Sequence, residues 1–276
     1  MHRTQFSVSI NVYNGDNPIF FKEAVKSLLQ QTLIPDEIVL VVDGPINKTL
    51  NDVVSQYQKN KIFKIIHLKK NMGHGEARRV GIENCTFDLI AIMDADDVSR
   101  KNRFEKQIKV FDSNKEISVL GGNIEEFEDS IDNIVSIKEV PSSHDEIVDF
   151  TKRRCPMNQM TVMFRKSNVL DSGGYLDWHC NEDYYLWIRM IKNKFIFKNL
   201  NDILVSVRVS KDMYSRRGGM KYFFSESKLQ IYMYRQNMIN TKILVQNIFI
   251  RIIVQLLLPN SLRRLFFINF ARTKKV

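Results

Sequence analysis

The stretch that decides the fold is Leu89-Ile90-Ala91-Ile92-Met93-Asp94-Ala95-Asp96-Asp97, in which a short apolar run ends in three carboxylates. A continuous apolar run of this length is typical of a strand that is buried on both faces of a parallel sheet. The acids then follow the carboxyl end of the strand, where open α/β sheets bind their ligands. Neighbouring carboxylates repel one another unless a cation lies between them, and their oxygens suit Mg²⁺ or Mn²⁺, which also takes substrate phosphates.

The same acids have a simpler interpretation. Asp is common in turns and at helix N-termini, and a helical pattern follows from about Arg100. An Asp-x-Asp pair alone does not distinguish a metal site from a turn. The sequence around the pair provides the evidence that distinguishes them.

Apolar strands alternate with helical patterns through the first half of the chain. The predicted strands are residues 6–12, 37–42, 62–68 and 87–93, and the predicted helices between them are residues 18–30, 47–58 and 75–84. This alternation predicts an α/β fold with a mostly parallel sheet and right-handed crossovers. Because the strands end at one edge of such a sheet, Asn14 and Asp43 are expected beside Asp94, Asp96 and Asp97.

The second half is less regular. It predicts a helix over 100–113, a β-hairpin from 117–127 and 134–140, a short helix capped by Ser143, and a strong helix from Asn181. Asn181 is the expected N-cap of that helix, and Glu182 and Asp183 occupy its first turn. Two β-like runs follow, over 195–200 and 203–209.

Composition limits the possible partners and compartments. The chain has 276 residues, a net charge of +10 and three widely spaced cysteines. One large domain, with or without an appendage, is expected, and the charge favours nucleic acid, nucleotide phosphates or an anionic membrane as partners. The cysteine spacing predicts neither a disulfide framework nor a zinc site. With no apolar leader and no stretch of about 20 apolar residues, a cytoplasmic protein is expected.

The chain changes character after Gly218-Gly219, which predicts two units: residues 1–217, and a helical segment over residues 218–276. The last forty residues contain no Asp or Glu and seven basic residues: Lys242, Arg251, Arg263, Arg264, Arg272, Lys274 and Lys275. Basic residues beside apolar ones fit a helix that lies in an anionic membrane interface. A helical cap packed on the domain fits equally well.

Five motifs occur in a fixed order. They are Ser7-Val8-x-x-x-Val12-Tyr13-Asn14, Val41-Val42-Asp43-Gly44, Asn71-x-Gly73-x-Gly75-x-Ala77-Arg78, Asp94-Ala95-Asp96-Asp97 and Glu182-Asp183-Tyr184-x-Leu186-Trp187. Together they resemble glycosyltransferase family 2, with the GT-A fold, and in particular the enzymes of bacterial exopolysaccharide, capsule and O-antigen assembly. The resemblance covers about residues 6–219.

The resemblance implies a donor half of the site. Asp96 would coordinate the metal that bridges the donor diphosphate, Asp94 would share the metal or contact the ribose, and Asp43 would accept a hydrogen bond from the nucleobase. Arg78 either reaches a phosphate or lies on a solvated helix face, and Asp97 is expected to orient the next segment. The full donor-side set is Val12, Asn14, Asp43, Gly73, Arg78, Asp94, Ala95, Asp96, Arg216 and Arg217.

The resemblance also implies an acceptor half. Asp183 would be the general base of an inverting transfer, with Glu182 and Trp187 on the acceptor side, although core packing is the alternative for Trp187. A helix N-terminus lowers the pKa of an acid, whereas burial raises it. The implied reaction moves a hexosyl or N-acetylhexosaminyl group, from a UDP-sugar by preference, to a lipid-linked or polysaccharide acceptor at the inner face of the cell membrane.

Other classes remain to be weighed. A nucleotidyltransferase acting on sugar phosphates would carry a Gly-rich loop and a basic residue after the first strand. At that place this chain has Tyr13-Asn14-Gly15-Asp16-Asn17, which lacks this pattern. A nucleic-acid-binding module would leave the acids without a role, so nucleic acid is not an expected partner. A non-catalytic nucleotide-binding relative stays possible. The chain departs from the family pattern at Asn11, Gly44 and Gln159, where Pro, a second acid and His are expected.

Overall fold

Four parallel strands form the half of the sheet that carries the predicted donor site. The computed structural model describes residues 3–209, 218–259, 262–263 and 272. Its first strands are β1 (Phe6–Tyr13), β2 (Glu37–Asp43), β3 (Phe63–His67) and β4 (Leu89–Met93). They lie in the order β3-β2-β1-β4, with Val12 opposite Val42 and Ile10 opposite Met93. The predicted parallel sheet is therefore confirmed, and the chain leaves β1, β2 and β4 at one edge.

Three helices connect these strands: α1 (Pro18–Leu29), α2 (Lys48–Ser55) and α3 (His74–Asn84). Asn17 caps α1, because its Oδ1 accepts a hydrogen bond from the Ile19 N–H at 2.9 Å, and Pro18 begins the helix. The strands are buried on both faces. Leu40 faces one apolar cluster and Val41 the other, as a parallel strand between two helical layers requires.

The sheet continues through the second half of the chain as β8-β6-β9-β5, with β7 paired to β6. These strands are β5 (Val98–Ser99), β6 (Ile117–Phe127), β7 (Ile134–Lys138), β8 (Met163–Arg165) and β9 (Ile196–Arg208); the helices are α4 (Arg103–Ser113), α5 (His144–Thr151), α6 (Lys166–Asp171) and α7 (Glu182–Lys192).

The β6–β7 hairpin and the Ser143 cap of α5 are confirmed. The two β-like runs after residue 195 are one strand rather than two. Both runs pair with β6, and a shift of register near Asn123 accommodates the residues between them.

Helices follow the sheet at the C-terminal end. They are α8 (Met220–Arg235) and α9 (Thr241–Arg251), and α9 continues into a π-helical turn over Ile252–Leu257. Leu229 and Met233 of α8 share an apolar cluster with Tyr184 and Ile188 of α7. None of the helices in the described ranges has the length and apolar character needed to cross a membrane.

Candidate active site

The acid stretch after β4 contains three carboxylates in different environments. Asp96 is exposed, Asp94 is partly buried and Asp97 is buried. Asp97 Oδ1 accepts a hydrogen bond from the Arg208 N–H at 3.0 Å, which joins this turn to the end of β9. Burial and the charges of Asp96 and Asp94 raise the pKa of Asp97 well above its ordinary value. Asp97 was expected to orient the next segment of the chain; the contact observed here is instead with β9, which is distant in sequence.

Asp43 closes the loop that precedes α3. Its Oδ1 accepts a hydrogen bond from the Met72 N–H at 2.7 Å and its Oδ2 accepts one from the Gly73 N–H at 3.1 Å. Its side chain is 4% exposed. The carboxylate predicted to meet a nucleobase is therefore also the group that fixes the Gly73 loop.

Gly44 explains one departure from the family pattern. Its φ of +83° lies in the left-handed region, and a Cβ there would stand 2.4 Å from the Asn71 backbone N. No second acid fits at this position, because the backbone of the Gly73 loop passes too close.

Arg78 lies between the two halves of the predicted site. Its side chain is 5% exposed; Nη2 lies 2.7 Å from Asp94 Oδ1, and Nη1 lies 3.7 Å from Glu182 Oε1. Burial lowers its pKa, but Asp94, Tyr175, Glu182 and Asp183 together raise it more, so the guanidinium stays charged. The interpretation of Arg78 as part of a solvated helix face is wrong, because this face of α3 packs against the acids.

Glu182 and Asp183 begin α7 on the other side of Arg78. Burial raises the pKa of both carboxyl groups, and Asp183 raises that of Glu182 further. Arg78 and, for Asp183, a hydrogen bond of 2.7 Å from the Tyr184 N–H act in the opposite direction. For Asp183 the effect of burial therefore exceeds that of the helix N-terminus, which favours a proton acceptor.

The side chain of Asn181 does not cap α7. Its Nδ2 donates instead to Ser225 Oγ of α8 at 3.1 Å. The prediction of an Asn181 cap is wrong because this side chain serves the packing of α7 against α8, a contact that the local sequence does not reveal.

His74 begins α3 at the mouth of the site, with Nδ1 3.7 Å from Glu182 Oε1. The charge of Arg78, together with desolvation, lowers the pKa of His74 to about 4. The imidazole is therefore neutral near pH 7.

Trp187 is fully buried, and its ring packs against Phe164, Tyr175 and Phe197. Trp187 therefore lies in the core, as the alternative interpretation predicts. Contact with an acceptor would require this aromatic cluster to open.

Val12, Ala95 and Asn14 are the other described donor-side positions. The side chains of Val12 and Ala95 are buried. Asn14 Oδ1 accepts a hydrogen bond from the Asn47 N–H at 2.8 Å, which joins the end of β1 to the start of α2. Arg216 and Arg217 lie outside the described residues.

Asp16 was not among the predicted site residues. Burial and the charges of Asp96 and Asp94 raise its pKa to about 6, although its carboxylate accepts a hydrogen bond from the Tyr13 N–H at 2.9 Å. The signal was available, because Asp16 follows a strand that ends at the same sheet edge. Because Asp16 lies in a polar turn, the local sequence does not indicate that it is close to the other acids.

Arg103 lies beneath the acid turn. It is fully buried, and Nη2 donates to the Ile92 carbonyl at 2.9 Å. Burial lowers its pKa to about 9, while Asp94 and Asp97 act against that shift. This cation faces the acids from inside the protein.

Asp94 and Asp96 offer carboxylate oxygens, the donor type that Mg²⁺ and Mn²⁺ prefer. Within the described ranges, no group of three or more His, Cys, Asp or Glu side chains is arranged to hold a metal. Mg²⁺ in proteins is usually bound by one or two carboxylates, and substrate phosphates and water complete its coordination shell. The residues present therefore fit a metal that is held jointly by the protein and a bound diphosphate.

Known proteins are similar to this chain in sequence. A model of the family described as "Glycosyl transferase family 2" matches residues 7–170. The UDP-Gal:alpha-D-GlcNAc-diphosphoundecaprenol beta-1,3-galactosyltransferase of Escherichia coli is 38% identical over 259 residues, which cover 94% of each chain. The amylovoran biosynthesis glycosyltransferase AmsE of Erwinia amylovora is 38% identical over 224 residues, which cover 81% of this chain and 84% of AmsE.

A solved structure shares the architecture. The crystal structure of S. aureus TarS 1–349 in complex with UDP-GlcNAc superposes with a TM-score of 0.67 at 17% identity, covering 96% of this chain and 75% of that chain. The likeness confirms the predicted GT-A fold, and the two relatives confirm the predicted kinship with bacterial polysaccharide enzymes. The chain therefore belongs to glycosyl transferase family 2 and is a glycosyltransferase.

Proposed function

We propose that this enzyme transfers a hexosyl or N-acetylhexosaminyl group from a UDP-sugar to a lipid-linked acceptor, with inversion, in cell-surface polysaccharide synthesis. The observation that carries the proposal is Arg78, which lies between Asp94 on the donor edge and Glu182 at the start of α7. The donor and acceptor halves thus share one buried cation. The E. coli relative, named for UDP-Gal and a diphosphoundecaprenol acceptor, supports the choice of substrates.

Asp183 is proposed as the general base. The acceptor hydroxyl oxygen attacks the anomeric carbon, its proton passes to an Asp183 carboxylate oxygen, and the bond to the nucleoside diphosphate breaks. A carboxylate whose pKa is raised by burial is a stronger base than an exposed one, and a positioned base contributes about 10²–10⁴ in rate.

We propose that Asp94 and Asp96 hold Mg²⁺ or Mn²⁺. Such a cation, when bound with the donor, neutralises negative charge on the departing diphosphate. Asp43 and Gly73 shape the nucleotide side of the same edge, and Arg78 fixes the orientation of the Asp94 carboxylate.

Calorimetry with UDP, with and without MnCl₂, tests the donor half. The unmodified protein is expected to bind UDP more tightly with Mn²⁺, and Asp96→Ala is expected to lose that dependence. Asp52→Ala, at an exposed site on α2, is the matched control. Metal-dependent binding that survives in Asp96→Ala contradicts the metal assignment.

A transfer assay tests the acceptor half and the reaction class. UDP-Gal and UDP-GlcNAc are supplied with a synthetic GlcNAc-diphosphate lipid, and Asp183→Asn is expected to bind UDP normally but to lose transfer. Formation of pyrophosphate from UTP and a sugar 1-phosphate would instead favour a nucleotidyltransferase. UDP binding without turnover of any donor would favour a non-catalytic relative.

We propose further that the C-terminal helices place the enzyme at the inner face of the cell membrane. Four apolar side chains spaced four residues apart form an exposed stripe along α9 and the π-helical turn: Val245 (62% exposed), Phe249 (61%), Ile253 (36%) and Leu257 (68%). A stripe at this spacing lies on one side of the helix. It is the arrangement that an interfacial helix presents to lipid.

The charges around this stripe favour an anionic surface. From residue 218 onward the sequence has a single acid, Glu226. That carboxylate is only 15% exposed and lies 2.7 Å from Arg251 Nε. Among the described residues of this part of the chain, the basic side chains of Lys221, Lys228, Arg235 and Lys242 are exposed. The sequence adds Arg264, Lys274 and Lys275.

Vesicle sedimentation of the full chain tests the membrane proposal. Binding is expected to vesicles that contain phosphatidylglycerol and to be weak with phosphatidylcholine alone. The triple variant Val245→Ser, Phe249→Ser and Leu257→Ser is expected to remain in the supernatant, whereas Ile19→Ser, at a 65% exposed position on α1, is expected to sediment. Sedimentation of the triple variant with the vesicles contradicts the proposal.

A further inference from the structure

The side chain of Arg208, the last residue of β9, packs against two aromatic rings. Its guanidinium carbon lies 3.8 Å from the centroid of the Phe20 ring and 4.6 Å from that of Phe127. Only 12% of the side chain is exposed. A planar guanidinium donates its hydrogen bonds in its own plane, so contacts with two rings and with groups at its edge together restrict its orientation.

The edge of this guanidinium contacts three separate parts of the chain. Nε donates to the backbone carbonyl of Asp96 at 3.3 Å, Nη1 to that of Asp129 at 3.4 Å, and Nη2 to Glu23 Oε2 at 2.5 Å. These partners lie in the acid turn, in the β6–β7 hairpin and on α1. One side chain therefore fixes the acid turn relative to two neighbouring elements.

The backbone of Arg208 holds the same turn from a second point. Its N–H donates to Asp97 Oδ1 at 3.0 Å. The two acids that end the motif are thus attached to Arg208 in different ways, Asp96 through its carbonyl and Asp97 through its carboxylate. A displacement of Arg208 would move the Asp96 backbone and, with it, the direction of the Asp96 carboxylate.

We propose that Arg208 is a positioning residue for metal-dependent donor binding, because it holds Asp96 in the orientation that a cation and a diphosphate require. This inference rests on the proposed metal-binding role of Asp96. Lysine retains the positive charge near Glu23, but it has no planar group to pack against the rings and cannot donate to two carbonyls in one plane. Arg208→Lys therefore removes the positioning while it retains the charge.

Arg165 provides a matched control. Its guanidinium carbon lies 5.3 Å from the Phe111 ring centroid, its Nε donates to the Ile117 carbonyl at 3.1 Å, and Nη1 lies 3.9 Å from Asp88 Oδ2. Arg165 has the same kinds of contact but lies opposite Leu89, at the other end of β4 from the acids. Arg165→Lys therefore reports the general effect of this substitution on the fold.

The test is calorimetric titration of each purified full-length variant with UDP, with and without saturating MnCl₂, beside its ligand-free melting temperature. Arg208→Lys is expected to weaken Mn²⁺-dependent UDP binding at least tenfold and to leave metal-free UDP binding within about twofold of the parent. Arg165→Lys is expected to bind UDP as the parent does, with a similar change in melting temperature. Phe20→Leu, which removes one ring of the stack, is expected to give an intermediate loss.

Two results overturn the inference. One is parental Mn²⁺-dependent affinity in Arg208→Lys; the other is an equal loss in Arg208→Lys and Arg165→Lys, which would indicate a general loss of structure. Failure of the parent protein to bind UDP with Mn²⁺ would instead overturn the proposed function, and this inference with it.

Discussion

Arg78 Nη2 donates a hydrogen bond to Asp94 Oδ1 at 2.7 Å, and the arginine side chain is almost completely buried. This pair stands where the donor and acceptor halves of the site meet. The guanidinium also lies near Glu182 and opposes the upward shift in the pKa of Asp183. A single cation thus contacts a carboxylate of the donor half and lowers the raised pKa values of Glu182 and Asp183 in the acceptor half.

Replacement of Arg78 should therefore affect both halves together. Arg78→Met leaves Asp94 and Glu182 without their cation, and we expect a loss of about 3 kcal/mol in the free energy of unfolding, since removal of one partner leaves an uncompensated charge. UDP binding and transfer should both fall, whereas Asp183→Asn should affect transfer alone. Urea denaturation and calorimetry measure these effects.

A double variant separates the pair from its surroundings. If the Arg78–Asp94 contact dominates, Arg78→Met combined with Asp94→Asn should cost less than the sum of the two single changes. Additive losses would show that Arg78 acts mainly through other groups.

Asp183 should give opposite pH dependences for stability and activity. Burial raises its pKa above the ordinary value of 3.8, so the folded state favours the protonated form. Stability from this group is complete below pH 3.8 and declines as the pH rises through the raised folded pKa. Transfer needs the deprotonated form, so kcat should increase over the same interval.

Asp183→Asn is expected to melt at a higher temperature than the parent near pH 7, with the difference vanishing near pH 4. Melting curves from about pH 4 to about pH 8, together with the pH profile of kcat in the parent, measure both effects. Destabilisation by Asp183→Asn at neutral pH would contradict the raised pKa.

Gly44 and Gly73 offer a comparison of strain with steric exclusion. Both have positive φ, +83° and +86°, but a Cβ on Gly44 would meet the Asn71 backbone whereas a Cβ on Gly73 meets nothing within 4 Å. Gly73 has a ψ of 162°, a conformation that is essentially restricted to glycine, so Gly73→Ala should cost about 1–3 kcal/mol of conformational strain. Gly44→Ala should cost more and also weaken UDP binding, because the loop held by Asp43 must move. Equal losses of stability in the two variants would refute the steric argument.

The sheet edge could be predicted from the sequence because its signals are local. Apolar runs that end in polar residues, separated by helical patterns, place Asp43 and Asp94 on one edge whatever the rest of the chain does. The same logic could have included Asp16, which lies within a few residues of the end of β1. The family resemblance supplied the acceptor half, since nothing local distinguishes Asp183 from an ordinary acid at a helix N-terminus.

The remaining features depend on packing between distant segments. The burial of Arg78, the use of Asn181 between two helices and the core position of Trp187 follow from which helix face meets the sheet. Hydrophobic patterning does not indicate this for a charged or aromatic residue near a helix start. The contact of Arg208 with Asp96 joins residues 112 positions apart, so no sequence window contains it.

The last prediction concerns Arg272 and Glu126, whose side chains are each only 1% exposed. Arg272 Nε donates to Glu126 Oε1 at 2.8 Å, and Ser136 Oγ donates to Oε2 at 2.5 Å. Burial alone would raise the pKa of Glu126, but Arg272 and Ser136 lower it below its ordinary value. The pair therefore contributes stability above the ordinary Glu pKa and loses it as the pH falls towards the lowered pKa of Glu126.

Arg272→Met should lower the free energy of unfolding by about 3–5 kcal/mol near pH 7 and by less near pH 4, where Glu126 can take up a proton. Arg235→Met, at an exposed position on α8, is the control, and urea denaturation at both pH values measures the difference. A cost that does not change with pH would show that Arg272 stabilises the protein through packing alone.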